Sequence, residues 1–160
     1  MDAEKRLQEL GLVLPPAAEA KGLYRPVVIV GHWAFTSGHL SIDAHGRVIT
    51  GRLGADMDVE AGQQAARWAG LQLLASLRQA LGTLDRVRRI VKLTGFIQSA
   101  PEFREHPAVL NGCSQLLADL FGPEEGQGAR SSVGVAALPL GAAVELEILV
   151  EIVSSQADTC

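Results

Sequence analysis

The residues best suited to chemistry lie in ARSSVGVAALPLGAAVELEILVEIV, residues 129–153, where Arg130 is the only cation. Arg130 begins an otherwise apolar strand directly after the glycine-rich EGQGAR run at residues 125–130. From there its planar fork could meet a ligand carboxylate through two parallel hydrogen bonds. Further on, Val144, Leu146, Ile148, Val150 and Ile152 share one parity, and Glu145, Glu147 and Glu151 share the other. A glutamate next to an anchored ligand can orient a water and carry a proton. Duller readings stand beside these: an exposed strand-end arginine, and the wet face of a half-buried strand. If the last two strands form a plain hairpin around residues 138–141, Arg130 falls opposite about Leu149, not Glu145. An Arg130–Glu145 site then needs a long diagonal reach or a contact between subunits.

Other candidates are weaker. His32, His39, His45 and His106 show no HxH or HxxxH spacing and no cysteine neighbour, so no metal site is expected. His45 and His32 read as exposed turn residues, while His39, after TSG at a strand end, is the one with a claim to a pocket. Cys113, in VLNGCSQLL, reads as a packed core thiol. No GxSxG elbow surrounds Ser37, Ser131 or Ser132, and EGQGAR lacks the Lys-Ser/Thr pair of a phosphate loop.

The elements that must position these residues follow from periodicity. Residues 2–10 form a short helix stopped at Gly11, and residues 14–22 form a loop broken by two prolines. Two strands flank a Gly31–His32 turn, and a third connection passes through DAHGR, residues 43–47. Residues 58–81 carry apolar side chains at helical recurrence, with Asp56 or Asp58 as cap and Gly82 as stop. RRIVKLTGFIQ follows as a strand in which Val91, Leu93 and Ile97 share a parity. A second helix runs from about Pro107 to Phe121, and two strands close the chain. The order β-β-(β)-α-β-α-β-β implies an α/β (α+β) fold, a mixed sheet with two main helices on one face. Strands this rich in Val and Ile leave the other face needing cover, which a homo-oligomer would supply.

Composition excludes several classes. A chain of 160 residues fits one domain, with residues 1–20 as an N-terminal extension, 21–153 as core and 154–160 as tail. A net charge of -4 argues against a nucleic-acid partner, and RVRRIVK at residues 86–92 reads as a charged strand face. Two cysteines make no disulfide framework, so a reducing, cytoplasmic setting is expected. MDAEKRLQELG is too charged for a signal peptide, and no apolar run reaches the roughly 18 residues of a membrane span.

At these same residues the chain resembles the RidA family, also called YjgF or endoribonuclease L-PSP-like. ARSSVGVAALPLGAAVELE resembles its Arg-Ser-x-Val-x-Val-x-x-Leu-Pro segment ending in Val-Glu-x-Glu, and GLYRPVVIVGHWAFTSGHL resembles its first hairpin. The similarity covers about residues 21–153. LGLVLPPA, GADMDVEAGQQAAR and HPAVLNGCSQLL look like a longer, less characterised branch. The resemblance implies a chorismate-mutase-like fold and a homotrimer with a central barrel and clefts between subunits. It also implies hydrolysis of reactive enamine or imine intermediates, such as 2-aminoacrylate, to a 2-keto acid and ammonia, with no metal or organic cofactor. Carried over, Arg130 matches the carboxylate-binding arginine and Glu145 the glutamate that positions water. Tyr24, Ser37, Gly38 and Asn111 match cleft residues. Departures occur where a frequent cysteine is Ser132, where SGQ reads SGH with His39, and before Asn111, where His106–Pro107 lengthens the segment. Two other functions compete with the deaminase: a module that binds a small carboxylate without turnover, and an endoribonuclease, which the acidic charge disfavours.

Overall fold

The computed structural model describes residues 2–153; the expected tail, residues 154–160 with Cys160, lies outside the described residues. Helix α1 (Ala3–Glu9) is followed by strands β1 (Val27–Val30), β2 (Trp33–Thr36) and the short β3 (His39–Leu40). Then come α2 (Val59–Leu81), β4 (Val87–Gln98), α3 (His106–Phe121), β5 (Ala129–Val135) and β6 (Val144–Ile152). The architecture is the α+β arrangement that the pattern implies, a six-stranded mixed sheet in the order β1-β2-β6-β4-β5, with β3 also paired to β6. β4 and β5 run parallel, and the remaining pairs are antiparallel.

Local signals explain the long helix. Asp58 accepts a hydrogen bond from the Ala61 N–H at 2.8 Å, satisfying one of the free donors of the first turn of α2. Gly82 closes α2 at φ 81°, a left-handed conformation that glycine adopts without a Cβ penalty. Helices α2 and α3 lie together on one sheet face, over Ile90, Leu93, Ile97, Leu146, Ile148 and Val150. They approach unusually closely: a Cβ on Gly112 would fall on the Gln63 carbonyl, and one on Gly70 would lie 2.9 Å from Cys113 Sγ. α1 adds Ala3 and Leu7 to the same core.

Two expectations are corrected. β5 and β6 do not form a hairpin, because β4 lies between them: Arg130 pairs with Leu93, and Leu93 pairs with Ile148. A link through residues 136–143, with a short 3-10 turn over Pro139–Gly141, lets the chain cross over β4. Secondly, Val91 does not share the buried face of Leu93 and Ile97. A register shift between Ile90 and Lys92 leaves Ile90 buried and Val91 half-buried, as a bulge does.

The other sheet face is uncovered in the single chain. Val28, Val30, Trp33, Phe35 and Val133 project from it, and Trp33 and Phe35 are 42% and 46% exposed. Among the described residues no helix is long and apolar enough to cross a membrane.

Candidate functional site

Register decides where Arg130 points. It pairs with Leu93, a core residue of the helix-covered face, so its side chain rises toward α3. There Arg130 Nη1 donates to Asn111 Oδ1 at 2.8 Å and to Ser114 Oγ at 3.1 Å. One nitrogen of the fork is thereby fixed, and its other donors have no hydrogen-bond partner among the described residues. The cluster opens on a cavity of about 680 Å³ between α2, α3 and the start of β5. Ser132 lies two residues on with the same orientation, half-buried opposite Gly95.

Glu145 belongs to the opposite face. It pairs with Phe96 and with Leu40, and so lies on the uncovered side of the sheet. Between β2 and β3 the ladder to β6 is interrupted, and Thr36 Oγ1 accepts the Ile148 N–H at 3.0 Å in place of a backbone carbonyl. The Ser37–Gly38 turn formed there lies over Glu145, where any Cβ on Gly38 would collide with Glu145 Oε1. A side chain at Gly38 would displace the Glu145 carboxylate from this position. Burial, reinforced by the neighbouring Glu147 carboxylate, raises the Glu145 pKa above the ordinary carboxylate range. Ser37 Oγ donates to the Arg25 carbonyl at 2.6 Å and ties down the loop that carries the exposed Tyr24.

His39, expected as a pocket residue, is instead 4% exposed beneath this turn. Its Nδ1 lies 2.8 Å from the Ser37 carbonyl and its Nε2 2.8 Å from Ser76 Oγ. A carbonyl only accepts, so Nδ1 carries the proton and Nε2 accepts from the serine hydroxyl. Burial lowers its pKa, which keeps the ring neutral. With both nitrogens engaged, it supports the turn and does not meet a ligand. His106 packs at the far end of β5 from Arg130, 3.0 Å from Ser99 Oγ and against Gly134. Cys113 is buried and its thiol is pushed up to about 12 by desolvation, the state of a packing residue.

The structure thus brings Arg130 together with Asn111, and Glu145 together with Gly38, as two separate groups. Three β4 residues and two strand spacings separate Arg130 from Glu145, on the order of 14 Å between Cα atoms, on opposite faces. Within one chain they cannot touch the same small ligand. Sequence reasoning missed Ser114, whose position three residues after Asn111 puts both on one helix face and was the available signal. Among the described residues no three His, Cys, Asp or Glu side chains converge as metal ligands would.

Comparison with known proteins bears on this arrangement. Residues 4–152 match the family model described as "YjgF/chorismate_mutase-like, putative endoribonuclease". Protein TCP17 of Trypanosoma cruzi is 47% identical over 146 residues, 91% of each chain. The crystal structure of Atu1372 from Agrobacterium tumefaciens, a protein of unknown function, is 41% identical and superposes with a TM-score of 0.85 over 94% of each chain. E. coli TdcF with bound serine is 25% identical, with a TM-score of 0.59 over 88% of this chain and 94% of its own. The chain therefore belongs to the YjgF (RidA) family.

Proposed function

We propose that this protein is a hydrolytic deaminase of 2-imine and 2-enamine acids, working in a homotrimer whose clefts lie between subunits. The observation that carries the reading is the division of the site. Arg130 with Asn111 and Ser114 faces one side of the sheet, and Glu145 with Gly38 faces the other. Assembly through the uncovered apolar face would set the first group of one subunit beside the second group of its neighbour. The serine held by TdcF, a relative at 25% identity, is a small molecule bearing a carboxylate and an amine, which fits a ligand of this size.

The chemistry follows from the two groups. The free edge of the Arg130 fork holds the substrate carboxylate and orients C2. An enamine first takes a proton at C3 and becomes the imine. Water directed by Glu145 adds to C2 of the protonated imine, and the water's proton passes to the carboxylate. Glu145 then returns that proton to nitrogen, the C–N bond breaks and ammonia leaves while the C2 hydroxyl passes its proton to the freed Glu145 carboxylate, and C2 becomes the carbonyl of the 2-keto acid. Burial raises the proton affinity of this carboxylate, the direction that favours taking and returning a proton.

The test generates an imine in situ with an amino-acid oxidase and follows keto-acid release. Wild-type protein should accelerate release, and Arg130→Ala and Glu145→Gln should each lower the rate by roughly 100-fold or more. Release unchanged by wild-type protein overturns the proposal. Stabilisation by a 2-keto acid through Arg130, without turnover, would favour a carboxylate-binding role.

A further inference from the structure

The cavity next to Arg130 contains a second arginine that the proposed reaction does not use. Arg67 enters from α2, one turn after Gln63, whose backbone lies against Gly112 of α3. The missing side chain at Gly112 brings the two helices close enough for Arg67 to share the cavity with Arg130, Asn111 and Ser114. Gln63, Gln64, Gln115 and Gln127 also line it, and no lining residue is acidic. Four of the protein's other arginines meet carboxylates, Arg6 with Glu9, Arg47 with Asp43, Arg78 with Glu4 and Arg88 with Glu151, and Arg52, Arg86 and Arg104 donate to backbone carbonyls. Arg67 has no hydrogen bond or ion pair among the described residues, and its charge is felt at the buried Cys113 thiol.

Within one chain, two guanidinium groups that cannot lose their protons thus face one cavity with no acidic lining residue, and Glu145 of a neighbouring subunit would offset one of the two charges. Of the lining glutamines, Gln63 and Gln115 donate to the Ala108 carbonyl and to Asp119 Oδ1, while Gln64 and Gln127 are neutral donors available to an anion. The volume, about 680 Å³, is well beyond what a three-carbon acid fills. From this we infer that the ligand carries a second anionic group, a carboxylate or a phosphate on its side chain, and that Arg67 binds it. The inference rests on the reading of Arg130 as the anchor of the 2-keto carboxylate.

Calorimetric binding to the assembled protein tests it. The probes are 2-oxoglutarate, 3-phosphohydroxypyruvate and 2-oxopentanoate, the last a singly charged acid of the same carbon count as the first. Wild-type protein should bind one of the two acids with an anionic side chain at least about tenfold more tightly than 2-oxopentanoate, and the preferred one identifies the side-chain anion. Arg67→Gln should abolish that preference and leave 2-oxopentanoate binding unchanged, Arg67→Lys should retain part of it, and Arg130→Ala should weaken all three. Equal affinities in wild-type protein, or a preference that survives Arg67→Gln, overturns the role of Arg67 while leaving Arg130 intact. Loss of assembly in Arg67→Gln, seen by sedimentation, would mean that the arginine serves a subunit contact, and overturns it too. No binding of any probe, or binding indifferent to Arg130→Ala, overturns the anchor reading and this one together.

Discussion

Glu145 carries the tension between stability and chemistry at the scale of a single residue. Burial and Glu147 raise its pKa, so the folded state holds the proton more tightly than the unfolded chain does. That contribution to stability is complete below the ordinary carboxylate range and is lost as pH rises through the folded value. Above the folded value the charged, half-buried carboxylate is therefore a burden that a neutral amide lacks. Glu145→Gln should raise stability at pH 7 by less than about 1 kcal/mol, because solvent screens the half-exposed group, and the melting temperature should rise with it. Melts at pH 4 should show the gain vanishing, and an equal gain at both pH values would contradict the assigned cause. His39 teaches a related lesson. Its type and position after Ser37–Gly38 suggested a ligand contact, but the strand parity that puts Leu40 over Glu145 turns His39 into the core.

The decisive feature among the elements is the contact between α2 and α3. Periodicity made both helices legible, including the Asp58 cap and the Gly82 stop, but it gave Gly112 only the meaning of a weak helix former. In the fold Gly112 is the point where α3 meets the Gln63 backbone, and this approach shapes the cavity that holds Arg67, Asn111 and Arg130. Gly112→Ala should force the helices apart and cost about 1–3 kcal/mol, lowering the melting temperature by roughly 2–4 °C per kcal/mol. Thermal denaturation checks it, and a variant as stable as wild type would mean the helices adjust without strain. Ligand affinity should fall with it, since Asn111 is the adjacent residue and fixes the Arg130 fork.

At the scale of the whole molecule, the division of the site makes a quantitative prediction. If the proposed site is right, Arg130→Ala and Glu145→Ala subunits should each be nearly inactive alone. Unfolded together and refolded as a random mixture, about one cleft in four should unite an intact Arg130 with an intact Glu145 from a neighbour. Keto-acid release should then recover to about a quarter of the wild-type rate. A mixture as inactive as its components would place both residues of each site in one chain, against the registers of β4, β5 and β6. The uncovered face with Trp33, Phe35 and Val133 is the surface such an assembly would bury.

The alternation in residues 144–152, the helical recurrence in 58–81 and the turn residues between them determined by themselves which elements form and which strand faces are apolar. Those are local properties, fixed by side-chain type and spacing. They also singled out Arg130 and Glu145, through residue type and family resemblance. What they left open was how the closing strands pair, because an antiparallel connection that skips over β4 and a plain hairpin have the same local pattern. Only the tertiary structure put β4 between β5 and β6 and sent Arg130 and Glu145 to opposite faces. The same holds for Arg67: its place beside Arg130 depends on how closely two helices pack, which no spacing within either helix encodes.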